Sequence, residues 1–298
     1  MANAEIDVIR SLLASAPRPA DLAERRARMD GFGARYTVPD GVRVEPVDAG
    51  GVAAEWTVSP EADPSRVVIF LHGGGYISGS IASHRHMVAQ LGREARARTL
   101  ALGYRLAPEH PFPAPLEDTL AAYRFLLAQG IKPEHIAFGG ESAGGGLALA
   151  AMMSLRDAGD PLPACAWLSS PWVDLEQTGA TMQTKADVDP LIQKPYLDDL
   201  SAQYRHGAEA RNPLVSPLYA DLRGLPPLLV HVGTAETLLD DSIRLAAAAG
   251  SADLRVTLDI WPDMIHAFTL FYQQVSVGRQ ALTQAGAFIR TLAENAGP

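Results

Sequence analysis

The residues best suited to chemistry stand in the stretch Phe138-Gly139-Gly140-Glu141-Ser142-Ala143-Gly144-Gly145-Gly146. A short apolar run, Ile136 to Phe138, precedes the glycines, and an alanine- and leucine-rich run, Leu147 to Leu155, follows them. That is strand, tight turn, helix, with Ser142 at the apex. Gly140 to Gly144 fits G-x-S-x-G, the pattern of a turn that lifts a nucleophilic serine clear of its backbone. A serine hydroxyl attacks only when a base takes its proton. Flanking glycines let strand and helix approach without Cβ clashes. The chemistry this suggests is acyl transfer, and its other parts must come from elsewhere in the chain.

Acyl transfer needs donors aimed at the oxyanion that forms during attack. His72-Gly73-Gly74-Gly75-Tyr76 follows directly on the apolar run Val67 to Leu71. Adjacent glycines leave backbone N–H groups unobstructed, so Gly73 and Gly74 are the expected donors, together with Ala143 after the nucleophile. His72 is expected to brace this loop.

The base should be a histidine on a late loop. His84, His86, His110, His135 and His206 fall in helical, turn or insertion segments, and His231 lies inside the run Leu228 to Val232. His266 alone follows the last strand, through Trp261-Pro262-Asp263-Met264-Ile265, before a closing helix. The acid that orients the imidazole should lie just past Leu228 to Val232. Glu236 is nearest that strand end and is preferred, with Asp240 second. Asp240 and Asp241 fall in the first turn of a helix, where the dipole favours carboxylates.

The elements that must hold these groups follow from periodicity. Residues 1 to about 35 read as a helical pair, with Ile6, Ile9, Leu12 and Leu13 on one face and Pro17 and Pro19 as the break. Val42 to Val47 and Ala53 to Val58 alternate around Ala49-Gly50-Gly51, a hairpin signal. Val67 to Leu71, Leu100 to Gly103, Ile136 to Phe138, Ala164 to Leu168, Leu228 to Val232 and Val256 to Ile260 read as further strands. Helices are expected over 84–95, Leu116 to Leu127, Asp240 to Ala249 and Val275 to Leu292. This alternation predicts an α/β fold, with a mostly parallel sheet and helices on both faces. Residues from about 176 to 213 break the rhythm with Pro190, Pro195 and Pro213, and read as an insertion over the sheet. No internal repeat or low-complexity linker interrupts what reads as a single domain.

Composition excludes other classes. The net charge is −9 over 298 residues and no basic cluster stands out, which argues against nucleic acid and anionic membrane surfaces as partners. No apolar run approaches the roughly 18 residues of a membrane span. Glu5 and Asp7 stand where a secretory signal would need an apolar core. Cys165, in an apolar run, reads as a buried small hydrophobe. One cysteine cannot close an intramolecular disulfide, which fits a reducing cytoplasm, the expected location.

With these residues in place, the chain resembles the hormone-sensitive lipase-like α/β-hydrolases, in their bacterial carboxylesterase branch. The resemblance rests on His72 to Gly75, Tyr104 to Pro113, Gly140 to Gly145, Ser170-Pro171-Trp172-Val173-Asp174-Leu175 and the Asp263 to His266 loop. It implies an α/β-hydrolase fold with an eight-stranded sheet, and a helical cap built from about 1–38 and about 176–213. It also implies hydrolysis of small ester substrates, without metal or cofactor, by Ser142 and His266. Many relatives carry Asp where Glu236 stands, and the longer side chain would need a slightly retracted backbone. Short- to medium-chain acyl esters, including simple lactones, are the expected substrates. An amidase or peptidase, or a non-catalytic small-ligand receptor on the same fold, are the alternatives. The strand Val256 to Ile260 would be a sheet edge at which a homodimer could pair.

Overall fold

The computed structural model describes residues 4–16 and 18–295; residues 1–3, Pro17 and residues 296–298, which include the start and the break of the expected N-terminal helical pair, lie outside the described residues. Helices α1 (Ala4–Ala14) and α2 (Leu22–Gly33) come first. They are followed by strands β1 (Arg43–Asp48), β2 (Ala53–Val58) and β3 (Asp63–Leu71), then α3 (Ile81–Ala95), β4 (Ala97–Leu102) and α4 (Ala114–Ala128). The second half runs β5 (Ile136–Glu141), α5 (Ala143–Ala158), β6 (Cys165–Ser169), α6 (Thr181–Thr184), α7 (Lys194–Arg205), β7 (Leu228–Gly233), α8 (Leu239–Ser251), β8 (Val256–Trp261) and α9 (Ser276–Asn295).

Among the described residues the strands form one eight-stranded sheet in the order β1-β2-β4-β3-β5-β6-β7-β8. β2 pairs antiparallel with both its neighbours, and every pair from β4 to β8 is parallel. β8 forms an edge. The apolar run of β3 explains its central place. Val67, Ile69 and Leu71 pack into one core with Leu116 of α4 and Leu147 of α5. Val68 and Phe70, pointing the other way, pack into a second core with Leu91 of α3 and Leu282 of α9. A strand buried on both faces needs apolar residues at consecutive positions, as here.

Two of the strands that run further than the apolar runs suggest show why. β4 starts at Ala97, because the Arg98 guanidinium lies over the Trp56 ring, 4.6 Å from its centroid, and Thr99 pairs with Val68 and Thr57. β5 continues through Gly139-Gly140-Glu141, where Gly140 pairs with Leu71 and Leu168. Both extensions depend on neighbouring strands rather than on local hydrophobicity.

The N-terminal helices lie outside the sheet. Ile6 and Ile9 of α1 are buried among Met264, Ile265 and Phe268, on the segment that carries His266. Leu12, expected on the same buried face, is instead 38% exposed. Arg10 ties this contact down by donating to the Asp263 carbonyl at 2.6 Å. Cys165 is buried, and burial pushes its thiol up to about 12. No helix among the described residues is long and apolar enough to cross a membrane.

Candidate active site

Ser142 sits between β5 and α5, with φ +53° and ψ −117°. A non-glycine residue in that region costs on the order of 1 kcal/mol or more and persists only where its surroundings enforce it. The enforcement is visible in the backbone. Ser142 N–H donates to Ser169 O at 2.9 Å, and Trp172 N–H donates to Ser142 O at 3.0 Å. α5 also presses so closely on the end of β3 that a Cβ on Gly144 would lie 1.9 Å from Leu71 O.

His266 follows β8 on a loop held by Ala235 N–H, which donates to Met264 O at 2.9 Å. Its Nε2 lies 3.0 Å from Ser142 Oγ and its Nδ1 2.9 Å from Glu236 Oε2. A neutral imidazole with its proton on Nδ1 satisfies both contacts, donating to Glu236 and accepting from the Ser142 hydroxyl. Glu236 is fully buried and its other oxygen is also used. Oε1 accepts from Gly233 N–H at 2.6 Å and from Ser170 Oγ at 2.9 Å. The three side chains therefore form one hydrogen-bonded line, from distant parts of the chain.

Burial pulls the His266 pKa down, but the bond to Glu236 and the charges of Glu236, Glu141 and Asp189 outweigh it and raise it to about 9. The imidazolium is thus favoured. Burial pushes the Glu236 carboxyl up, against the opposing pull of His266 and the Gly233 N–H.

Ser142 and His266 face a cavity of about 460 Å³. Leu13 and Phe32 from the N-terminal segment line it, as do Leu191, Leu197 and Leu200 from the stretch between β6 and β7. Among the described residues no group of three or more His, Cys, Asp or Glu is disposed to hold a metal ion.

Known proteins show the same architecture. A family model described as the α/β-hydrolase fold matches residues 68–270. The chain belongs to the α/β-hydrolases. An acetyl-hydrolase from Streptomyces hygroscopicus is 43% identical over 298 residues, covering 98% of each chain. An esterase from Acinetobacter venetianus is 33% identical over 255 residues, covering 84% of this chain and 83% of its own. The crystal structure of an esterase from the bacterial hormone-sensitive lipase family, 43% identical, superposes with a TM-score of 0.95 over 98% of this chain and 99% of its own. The chain is accordingly a carboxylic ester hydrolase of that bacterial branch.

In this hydrolase the glycines after β3 do not all face the cavity. The Gly73 N–H points at His84 Nε2, 3.3 Å away, and Gly73 is not on the cavity wall. Gly74 and Gly75 are on that wall. Their N–H groups have no acceptor among the described residues. Gly74 holds φ +112°, and a Cβ there would fall 2.2 Å from Ser78 O, so glycine is required. His72 braces the loop as expected, through a 2.8 Å contact with Gly73 O and a ring stacked 4.2 Å from Tyr104. Burial lowers its pKa to about 3.

The remaining acidic candidates of the esterase lie elsewhere. Asp240 Oδ2 accepts from Thr181 N–H at 3.1 Å, and Asp241 Oδ2 accepts from the Val173 and Asp174 N–H groups at 3.0 Å. His231 takes the Trp167 Nε1–H at 3.1 Å, and His86 is stacked between Tyr36 and Tyr272.

Sequence reading assigned no role to Glu141, His84, Ser170 or Asp189. Glu141 lies 3.0 Å from His84 through Oε2 and 3.6 Å from His266 Nε2 through Oε1. Ser170 Oγ joins the acid to the base loop, donating to Glu236 and accepting from Ala267 N–H at 3.2 Å. Asp189 Oδ2 accepts from Thr237 N–H at 2.7 Å, next to Glu236. The available signals were position alone: Glu141 fills the first open position of G-x-S-x-G, and Ser170 directly follows β6, whose last residue, Ser169, pairs with Glu141.

Proposed function

We propose that this esterase hydrolyses small acyl esters through an acyl-enzyme, with Ser142 as nucleophile, His266 as general base and Glu236 as the orienting acid. The observation that carries this reading is the position of His266, with one ring nitrogen 3.0 Å from Ser142 Oγ and the other 2.9 Å from Glu236. Ser142 attacks the acyl carbon as its proton passes to His266 Nε2. Glu236 stabilises the imidazolium without taking the proton. His266 then returns the proton to the departing alcohol. A water molecule repeats the sequence on the acyl-enzyme and releases the acid.

The oxyanion would be held by the N–H groups of Gly74, Gly75 and Ala143. Gly75 is preferred to Gly73 in this role because Gly74 and Gly75 line the cavity and Gly73 does not. Losing one such donor costs about 3 kcal/mol of transition-state stabilisation in comparable sites.

Substrates would be short- to medium-chain acyl esters, simple lactones included. A volume of about 460 Å³, walled by leucine and phenylalanine, suits a small acyl group better than a long one. Residues from about 1–38 and about 176–213 would act as the cap that shuts this cavity, since both contribute to its wall. A relative 43% identical, EstE5, has a crystal structure soaked with p-nitrophenyl butyrate, which makes that ester a suitable probe. A series of p-nitrophenyl esters from acetate to palmitate tests the reading. Turnover should be concentrated in the short and medium chains, and a rate that rises towards palmitate would overturn it.

A further inference from the structure

The charge of the cavity wall runs against the charge of the chain. The chain carries −9 overall, yet Arg18, Arg25, Arg28 and Arg35 all line the cavity, and Glu141 is the one carboxylate among its described lining residues. Glu141 is already engaged by His84. All four arginines come from the N-terminal segment, above the site.

Several arginines elsewhere in the chain meet carboxylates closely, although Arg98, Arg205 and Arg290 do not. Arg26 pairs with Glu109 at 2.7 Å, Arg85 with Glu55 at 2.7 Å, Arg105 with Asp118 at 2.8 Å and Arg244 with Asp174 at 2.8 Å. Arg18, Arg25 and Arg35 have no such partner among the described residues. Arg18 lies over the Tyr196 ring, 3.4 Å from its centroid, and donates to Leu191 O. Arg25 lies 5.2 Å from the same ring, and its Nε is buried with no acceptor. Its side chain makes one hydrogen bond among the described residues, a 3.4 Å approach to Pro19 O. Asp189, whose charge acts on Arg18, is occupied by Thr237 and by the Leu191 and Ile192 N–H groups. Burial, with repulsion from Arg25 and Arg28, lowers the pKa of Arg18.

Cations gathered against one another, with a buried donor left over, are stabilised by an anion. Guanidinium groups also match the planar, two-oxygen shape of a carboxylate. We propose that the preferred substrate of this esterase is an ester that carries an anionic group, most simply a carboxylate, at the end remote from the scissile carbonyl, and that Arg25 and Arg35 select it. This rests on the esterase reading above and adds the substrate class to it. Arg18, which also straps the N-terminal segment to Tyr196, is the weaker probe.

The test compares p-nitrophenyl hexanoate with p-nitrophenyl hydrogen adipate, which differ only in a terminal methyl against a terminal carboxylate. 4-Acetoxybenzamide and 4-acetoxybenzoate form a second pair, with the charge on the departing alcohol. In at least one pair the anionic member should have the higher kcat/KM, mainly through a lower KM. That preference should shrink as salt is raised, and fall roughly three- to tenfold in Arg25→Gln and Arg35→Gln. Arg124→Gln, which removes a remote surface cation, should leave it unchanged. The inference is overturned if hexanoate is hydrolysed but neither anionic ester is preferred, or if the arginine variants keep the wild-type preference. Absence of turnover on all four esters would instead defeat the esterase reading on which it stands.

Discussion

Glu141 Oε1 lies 3.6 Å from His266 Nε2, beside the same nitrogen that stands 3.0 Å from Ser142 Oγ. Two carboxylates therefore act on one imidazole, Glu236 at Nδ1 and Glu141 at Nε2. Both favour the imidazolium, and against the opposing effect of burial they raise the His266 pKa to about 9. With His266 as the proposed base, only its neutral form can accept the Ser142 proton, and activity should rise with pH as His266 loses its proton.

Glu141→Gln removes one of the two charges and keeps the side chain's size. The rising limb of kcat/KM against pH should move to lower pH. The rate on the plateau should change by less than about tenfold, because the Ser142 and Glu236 contacts of His266 remain. A full pH profile on an activated ester checks this, and an unmoved limb would exclude the charge of Glu141 as an influence on the base.

Removing the proposed nucleophile or the proposed acid should be far more costly. Ser142→Ala is expected to lose about 10⁴-fold or more in kcat. Glu236→Gln should lose on the order of 10³- to 10⁴-fold, since the imidazole would no longer be held in the required tautomer. Asp240→Asn keeps an oxygen that can accept from Thr181 N–H and removes only a charge in the first turn of α8, so kcat should stay within about threefold of wild type, with stability lowered by no more than about 1 kcal/mol. Steady-state kinetics beside a denaturant titration separate the two acids. The reverse ranking would assign the orienting role to Asp240.

Asp241 should make stability depend on pH. It is fully buried, and burial pushes its carboxyl up to about 8, against the pull of the Val173 and Asp174 N–H groups. Unfolded, it returns to about 3.9. Between those values the folded state holds a proton that the unfolded state has lost, so its contribution is greatest at low pH and declines as pH rises through about 8. Asp241→Asn cannot ionise. Its Tm should fall less steeply than that of the wild type between pH 5 and pH 8, and parallel slopes would refute the assignment.

Gly144 should tolerate no side chain. A Cβ there would meet backbone at Leu71 O, 1.9 Å away, with no flexible group to give way. Gly144→Ala is expected to cost more than about 3 kcal/mol, or to displace Ser142 enough to abolish turnover. Gly159→Ala, at the αL end of α5 with open space around it, should cost only about 1 kcal/mol. Denaturant midpoints of the two variants give the comparison.

Much of this molecule is local enough to be legible in its sequence. The apolar runs mark the strands because a strand covered on both faces has no room for polar residues, and Val67 to Leu71 is the clearest case. The glycines around Ser142 mark the turn because no other residue fits between β5 and α5. His266 stands out by order along the chain alone. What lies in three dimensions was decided by convergence. Which two of the three glycines after β3 face the cavity, Gly74 and Gly75, is set by how the loop packs against α3 and β5. Glu236 rather than Asp240 reaches His266 because the loop after β7 directs one carboxylate towards the base while α8 holds the other against Thr181. The gathering of Arg18, Arg25 and Arg35 over an acidic chain's active site is equally invisible in one dimension. Spacing along a backbone determines which face a residue takes within its own element. It does not determine which side chain of a distant element stands opposite, and that is set only when the layers pack.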